Sequence, residues 1–351
     1  MKKFFKVISL LLGFLVAFIL GLVLVFNLSP RPGAFVINRL FAKSGGKITD
    51  QKTYEATKKK VLLKSDLSYT SDKKRNSFDI YMPQNSQGPV PVMIWVHGGA
   101  YVGGNKTDVK EFATRIAHDA QVAVICPNYA LAPDAQYPSQ IQQINELVQD
   151  LFSHQADYPS LDFNQIILGG DSAGAQIATQ YAAIQTNKAY ANALHFTPLL
   201  TKENLKGVIS YCGPVNLQEK AHDKSNNLLL KAFTKTVAWS LLGTTDWKTN
   251  PHLQQASVVP AVTENYPPTY ITDGNTLSFA SEGEALAERL KALKVPVSQL
   301  FFSDSGKKIG HEYQFDYRTK EAQLCYQQTL RFIQEHTLQH KKKLHLLCIF
   351  F

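Results

Sequence analysis

Residues 165–184 read QIILGGDSAGAQIATQYAAI. The stretch enters as an apolar run of strand character, turns at glycine, and leaves as an alanine-rich segment of helical period. Gly170-Asp171-Ser172-Ala173-Gly174 stands at the change. A G-x-S-x-G in that setting predicts a nucleophile elbow, because small residues permit the sharp strand-to-helix turn that lifts a serine hydroxyl above a sheet edge. The amides that open the following helix face any negative charge developing there. The bare motif is weak, but a strand before it and a helix after it point to nucleophilic catalysis by Ser172.

Working outward, His97-Gly98-Gly99-Ala100-Tyr101, followed by Gly103-Gly104, comes directly after the apolar run VMIWV. Glycines let backbone amides approach a substrate oxygen, so this loop is a candidate oxyanion hole. An ordinary glycine-rich turn would look the same in isolation. Two such loops at the carboxyl ends of predicted strands, 75 residues apart from His97 to Ser172, argue against coincidence.

From residue 76 onward, short apolar runs alternate with longer segments of helical period. Strands are predicted at 78–82, 90–96, 122–128, 165–170, 207–212, 268–273 and 295–302, and helices at 107–119, 139–154, 173–186, 281–294 and 319–338. The alternation predicts an α/β fold with a mostly parallel central sheet and helices on both faces. Residues 214–260 interrupt it, and an insertion there would form a small cap over the carboxyl edge of the sheet, where open α/β folds bind ligands. The plainer reading is a crossover helix with a long loop.

The chain has 351 residues, of which 44% are hydrophobic, enough for a sizeable core; disorder and a disulfide scaffold are excluded. Its net charge of +9 suggests a polyanion until it is partitioned. Residues 1–75 hold 15 Lys+Arg against 4 Asp+Glu, and the remainder 22 against 24. The basicity therefore belongs to the N-terminal segment, and no nucleic-acid partner is expected.

Within that segment, residues 7–26 read VISLLLGFLVAFILGLVLVF, with Ser9 the only polar member. At about 1.5 Å per residue the run is about 30 Å long, a bilayer's hydrocarbon thickness. The following NLSPRPGAF holds no A-x-A-like cleavage site, and no polar face marks a core helix, so an uncleaved signal anchor is expected. Lys2, Lys3 and Lys6 precede the span, while Arg31, Arg39, Lys43 and Lys47 follow it. The short N-terminal tail favours an inside N-terminus, a single-pass cell-membrane protein and an extracytoplasmic catalytic domain. The expected order is an anchor over 1–30, a basic juxtamembrane linker over 31–75, a catalytic domain over 76–338 and a basic, then apolar tail over 339–351. The linker is read either as a contact with anionic head groups or as plainly solvated. Cys126, Cys212, Cys325 and Cys348 show no disulfide or metal-ligand spacing and read as structural thiols.

Three stretches carry a resemblance. HGGAYVGG (97–104), YALAPDAQYP (129–138) and GGDSAG (169–174), with FDIYMP (78–83) as entry strand, resemble the hormone-sensitive-lipase-like branch of the α/β-hydrolases, esterases acting on carboxylic esters, over roughly residues 76–338. The resemblance implies an α/β-hydrolase fold with Ser172 as nucleophile. It also implies an oxyanion hole from the amides of Gly99, Ala100 and Ala173, with Gly98 shaping the turn. Ala100 stands where a third glycine is common. This fold orders its triad serine, acid, histidine, and His311 in SGKKIGHEYQF is the histidine that follows the last predicted strand and precedes the final helix.

The acid departs from the family pattern, since Leu277 stands where the aspartate is usual. Asp273, at the end of PTYITD, is close enough to serve; Glu282 and Glu284 are alternatives, although both open a helix, where acidic residues are common for dipole reasons. Asp171 and Asp134 read as structural hydrogen-bonding groups. The expected activity is that of a membrane-anchored serine hydrolase cleaving a small-molecule ester, with membrane lipid as a further contact and no metal or organic cofactor required. Tyr101, Trp239 and the apolar cap favour a small or medium acyl group. A serine peptidase or amidase, and a catalytically weak hydrolase-fold binding protein prompted by Leu277, are the competing readings.

Overall fold

In the run VPVMIWV every residue is buried, and alternate side chains enter different cores: Val92, Ile94 and Val96 on one side, Met93 and Trp95 on the other. A strand buried on both faces reads as a continuous apolar run and belongs inside a covered parallel sheet. The computed structural model, which describes residues 2–222 and 226–337, places it there.

The strands are β1 (Val61–Ser68), β2 (Ser77–Pro83), β3 (Val90–Val96), β4 (Ala123–Pro127), β5 (Leu161–Asp171), β6 (Leu205–Tyr211), β7 (Thr269–Thr272) and β8 (Val297–Leu300). They form one sheet ordered β1-β2-β4-β3-β5-β6-β7-β8, antiparallel at the β1–β2 and β2–β4 pairings and parallel elsewhere. The helices are α1 (Lys2–Leu28), α2 (Arg31–Ser44), α3 (Gln51–Lys58), α4 (Lys110–Asp119), α5 (Ser139–Ser153), α6 (Ala173–Thr186), α7 (Lys188–Ala193), α8 (Leu217–Lys220), α9 (Leu228–Leu242), α10 (His252–Gln255), α11 (Ala280–Ala292) and α12 (Lys320–Thr337). Ile144 and Leu147 of α5, Ile177 of α6 and Leu286 of α11 fill one core; Phe112 and Ile116 of α4 and Ile333 of α12 fill the other. This is the α/β-hydrolase fold. The predicted tail over 339–351, with Cys348, lies outside the described residues.

Every strand and helix expected after residue 76 is present. The expected linker over 31–75 is not a linker. It holds α2, α3 and β1, and β1 pairs with β2 from Val61 opposite Pro83 to Ser68 opposite Ser77. Its lysines hid it: β1 is an edge strand exposed along most of its length, and Lys64 lies on that edge, where charge discourages pairing with another chain. Arg75, counted in the basic collar, is half-buried and donates to the carbonyls of Tyr129 (2.9 Å) and Gly104 (2.7 Å).

α2 is equally built in. Ala34 and Ile37 are buried against Val102 and Ala132, Asn38 Nδ2 donates to the Val102 carbonyl at 2.8 Å, and Gly33 lies against Thr236 of α9. α1 before it reaches a mean hydropathy of 3.0 in its most apolar stretch, none of which is buried, so by length and composition it could cross a membrane.

Burying Ile37 alone contributes about 2 kcal/mol. A chain starting at residue 30 is therefore expected to melt as the whole catalytic domain does, whereas one starting at residue 45 melts several degrees lower; differential scanning fluorimetry of the two truncations checks this.

Candidate active site

The turn from β5 into α6 holds Ser172 at φ +50° and ψ −119°, a conformation that side-chain-bearing residues rarely adopt. A Cβ on Gly174 would lie 2.0 Å from the Val96 carbonyl oxygen, and one on Gly170 would meet the backbone of Gly174 at 2.5 Å. Only glycines let β3, β5 and α6 approach this closely. The Ser172 amide donates to the Tyr211 carbonyl at 2.8 Å, tying the elbow to β6.

Asp171 points away from the pocket. Its carboxylate accepts from the Trp95 indole at 2.9 Å and from the Gly98 amide at 2.8 Å, so the elbow holds the H-G-G loop directly. Burial and the facing Glu312 carboxylate push Asp171 well above the usual carboxylate range. From the other side the Tyr129 hydroxyl donates to the His97 carbonyl at 2.9 Å, and the His97 ring stacks on Tyr129 with centroids 4.4 Å apart. Burial lowers His97 to about 3, leaving a neutral imidazole that shapes the loop. Asp134 accepts from Arg31 of α2 at 2.6 Å, an exposed pair that adds little stability.

With the Gly98 amide occupied, the amides of Gly99, Ala100 and Ala173 donate to no other described residue. All three residues line the pocket that holds Ser172. Gly99 has φ +114°, and a Cβ there would lie 2.2 Å from the Gly103 carbonyl oxygen; Ala100 follows at φ +52°.

His311 sits in the loop between β8 and α12. Its amide donates to the Thr276 carbonyl at 3.1 Å, and Asn275 holds the same loop through the Lys307 carbonyl and the Ile309 amide. His311 Nε2 lies 3.0 Å from Ser172 Oγ, and Phe279 packs its ring against the imidazole at 5.4 Å.

Asp273 Oδ1 is the nearest carboxylate oxygen to His311 Nδ1, at 3.8 Å, and Nδ1 has no hydrogen-bond partner. The Asp273 carboxylate accepts instead from the amides of Gly274 (2.7 Å) and Phe279 (2.6 Å). Burial pushes Asp273 up to about 7 and His311 down to about 4. Glu282 is fully buried and committed elsewhere, to the Asn216 amide and to Lys220 Nζ, each at 2.8 Å. Glu284 accepts from Ser303 at the surface, and Leu277 is exposed.

Within 214–260, α8, α9 and α10 contribute to the wall of a pocket of about 390 Å³ whose lining includes Phe233, Val237, Leu241, Leu242 and Trp247. Tyr101 lines it as expected and is held by Gln176 at 3.1 Å. Trp239 does not; it is buried on another side of α9, and Trp247 supplies the indole. Cys212, read from the sequence as a strand thiol, lies with a ligand atom of Asp273 and of His311 all within 4.8 Å of one another. Its place beside β7 depends on strand order, which no local pattern encodes. The roles of Arg75 and Asn38 escaped for the same reason.

The BD-FAE family model matches residues 78–282, more than half of the chain. The chain belongs to that family, within the esterase branch of the α/β-hydrolases that its motifs resemble. A putative α/β-hydrolase of Acanthamoeba polyphaga mimivirus is 28% identical over 290 residues, 78% of each chain. An esterase of Gibberella moniliformis is 24% identical over 216 residues, covering 60% of this chain and 64% of its own. Among solved structures, esterase B of Lactobacillus rhamnosis matches with a TM-score of 0.70 at 20% identity, over 90% of this chain and 98% of its own, a likeness of fold.

Charge placement separates the candidate acids. Asp273→Asn is expected to lower kcat by at least about a hundredfold, while Glu282→Gln, which leaves Lys220 unpaired, lowers the melting temperature and changes kcat only a few-fold. Steady-state kinetics and thermal melts of the two variants test the pair.

Proposed function

We propose that this carboxylic ester hydrolase works through an acyl-enzyme formed on Ser172, with His311 as general base and acid, Asp273 as the group that steadies the imidazolium, and α1 as a membrane anchor. The observation that carries the reading is the 3.0 Å separation of His311 Nε2 and Ser172 Oγ inside a pocket edged by three free amides.

Ser172 Oγ attacks the ester carbonyl carbon while His311 Nε2 takes the hydroxyl proton. The carbonyl oxygen becomes an oxyanion facing the amides of Gly99, Ala100 and Ala173, whose geometry costs no reorganisation as charge develops. The intermediate collapses, His311 returns the proton to the departing alcohol, and the acyl group stays on Ser172. Water then repeats the sequence in reverse and releases the acid.

Asp273 enters when His311 becomes charged. The imidazolium carries a proton on Nδ1, and the facing carboxylate is the anion that closes on it from 3.8 Å; catalytic contacts that are long in the resting enzyme tighten as charge builds. Ala100 keeps its amide, so the alanine in place of the third glycine narrows the loop without removing a donor. The apolar lining of the pocket fits an acyl group of small or medium size.

Full-length protein in detergent micelles is expected to hydrolyse p-nitrophenyl acetate, and Ser172→Ala to reduce the rate to background. Equal rates for the two would turn the protein into a binding module.

The pH profile adds a second expectation. His311 is neutral above about 4, so its basic form is present throughout the neutral range, whereas Asp273 ionises only as the pH rises through about 7. The two groups titrate as a pair. The value of kcat/KM is therefore expected to rise with pH across the region near 7 and then level off. Asp273→Asn removes that limb, and a rate profile from about pH 5 to about 9 reads the difference.

A further inference from the structure

Most of the exposed large apolar side chains outside α1 lie on three elements that border the Ser172 pocket. Phe35, Val36 and Leu40 on α2, Leu228 and Leu229 at the start of α9, and Leu277 after β7 are exposed by 47–83%. Phe41, Leu230, Phe233 and Leu277, on the same three elements, line the Ser172 pocket. Away from these elements only Leu62, Leu63 and Leu324 are comparably exposed among the described residues.

α2 is apolar in two directions. Ala34 and Ile37 face the body of the protein, whereas Phe35, Val36 and Leu40 face outward among the exposed Arg39 and Lys43. The Arg39 guanidinium lies 5.1 Å over the Phe35 ring. Packing explains the first face and leaves the second unexplained. Mixed apolar and basic side chains on one helix face suit the boundary between acyl chains and anionic head groups.

Chain length supplies the occupant. α1 ends at Leu28 and α2 begins at Arg31, so two residues, spanning at most about 10 Å with their flanking bonds, separate the transmembrane candidate from α2. The pocket mouth beside α2 is therefore tethered at the surface that α1 leaves.

We propose that the mouth of the Ser172 pocket lies in the bilayer interface and that the substrate is an acyl ester carried by a membrane lipid, entering between α2 and the start of α9. The inference rests on the readings of Ser172 as nucleophile and of α1 as a span. Ester and water still give acid and alcohol by the steps above; what is added is the phase from which the ester arrives.

The test uses full-length protein in phosphatidylcholine vesicles with a minority of phosphatidylglycerol. Leu229→Trp and Leu277→Trp report contact through quenching by tail-brominated phosphatidylcholine, and Leu324→Trp on α12, away from the mouth, serves as the control. Both mouth positions are expected to be quenched well above the Leu324→Trp control and above the background of Trp95, Trp239 and Trp247; quenching no greater than in that control overturns the proposal. In the same vesicles, Leu228→Ser/Leu229→Ser is expected to lower hydrolysis of a medium-chain diacylglycerol by about tenfold while p-nitrophenyl acetate turnover is unchanged. Unchanged rates on both esters overturn the proposal as well. Wild-type protein inactive on both esters would instead overturn the catalytic reading, and the quenching arm would still decide the bilayer contact.

Discussion

The Asp171 carboxylate, buried one residue before Ser172, accepts from the Trp95 indole and the Gly98 amide. Through those two bonds the β5–α6 elbow and the β3 loop become one unit. Burying a carboxylate costs several kcal/mol, and the cost is offset only where donors satisfy it. What the arrangement secures is position. With Gly98 held by Asp171 and the His97 carbonyl held by Tyr129, the loop that carries Gly99 and Ala100 is fixed at the edge of the Ser172 pocket. Arg75 and Asn38 extend the same restraint outward, so the segment that carries all of the chain's excess positive charge is built into the scaffold around the pocket.

The acid side of the site obeys a different balance. Asp273 is committed to two backbone amides that fix the start of the loop leading to Phe279, and the same loop positions His311 through Thr276. A carboxylate doing this structural work stands 3.8 Å from the ring it faces, in surroundings dry enough to hold its proton to about 7. Leu277, at the position where the family usually carries the acid, is exposed at the pocket mouth. The nearest carboxylate to His311 stands instead at the end of β7, four residues earlier in the chain.

Much of this was legible in the chain. The elbow, the H-G-G loop, His311 and the alternation of strands and helices after residue 76 each follow from local patterns, because strand burial, glycine turns and helical period are properties of neighbouring residues. The end of the late strand placed Asp273 near His311, and the structure has its carboxylate the nearest to that ring. β1 and α2 were not legible, since an edge strand and a surface helix both carry lysines and arginines on their free faces, and such a composition reads equally well as a solvated linker. Trp247 in place of Trp239 was lost for a similar reason: in a helix apolar on most sides, period alone does not say which side faces a cavity.

By itself, then, the sequence determined the fold class, the strand–turn–helix at Ser172, the H-G-G loop beside it and the apolar segment at the N-terminus. These depend on residues adjacent in the chain, where covalent geometry and burial periodicity act directly. Tertiary structure decided which carboxylate lies nearest His311, where Cys212 sits and what the basic segment packs against. Each of these depends on the order of strands in the sheet and on contacts between residues far apart in sequence, such as Asn38 with Val102 or Asp171 with Gly98, for which no local pattern carries a signal.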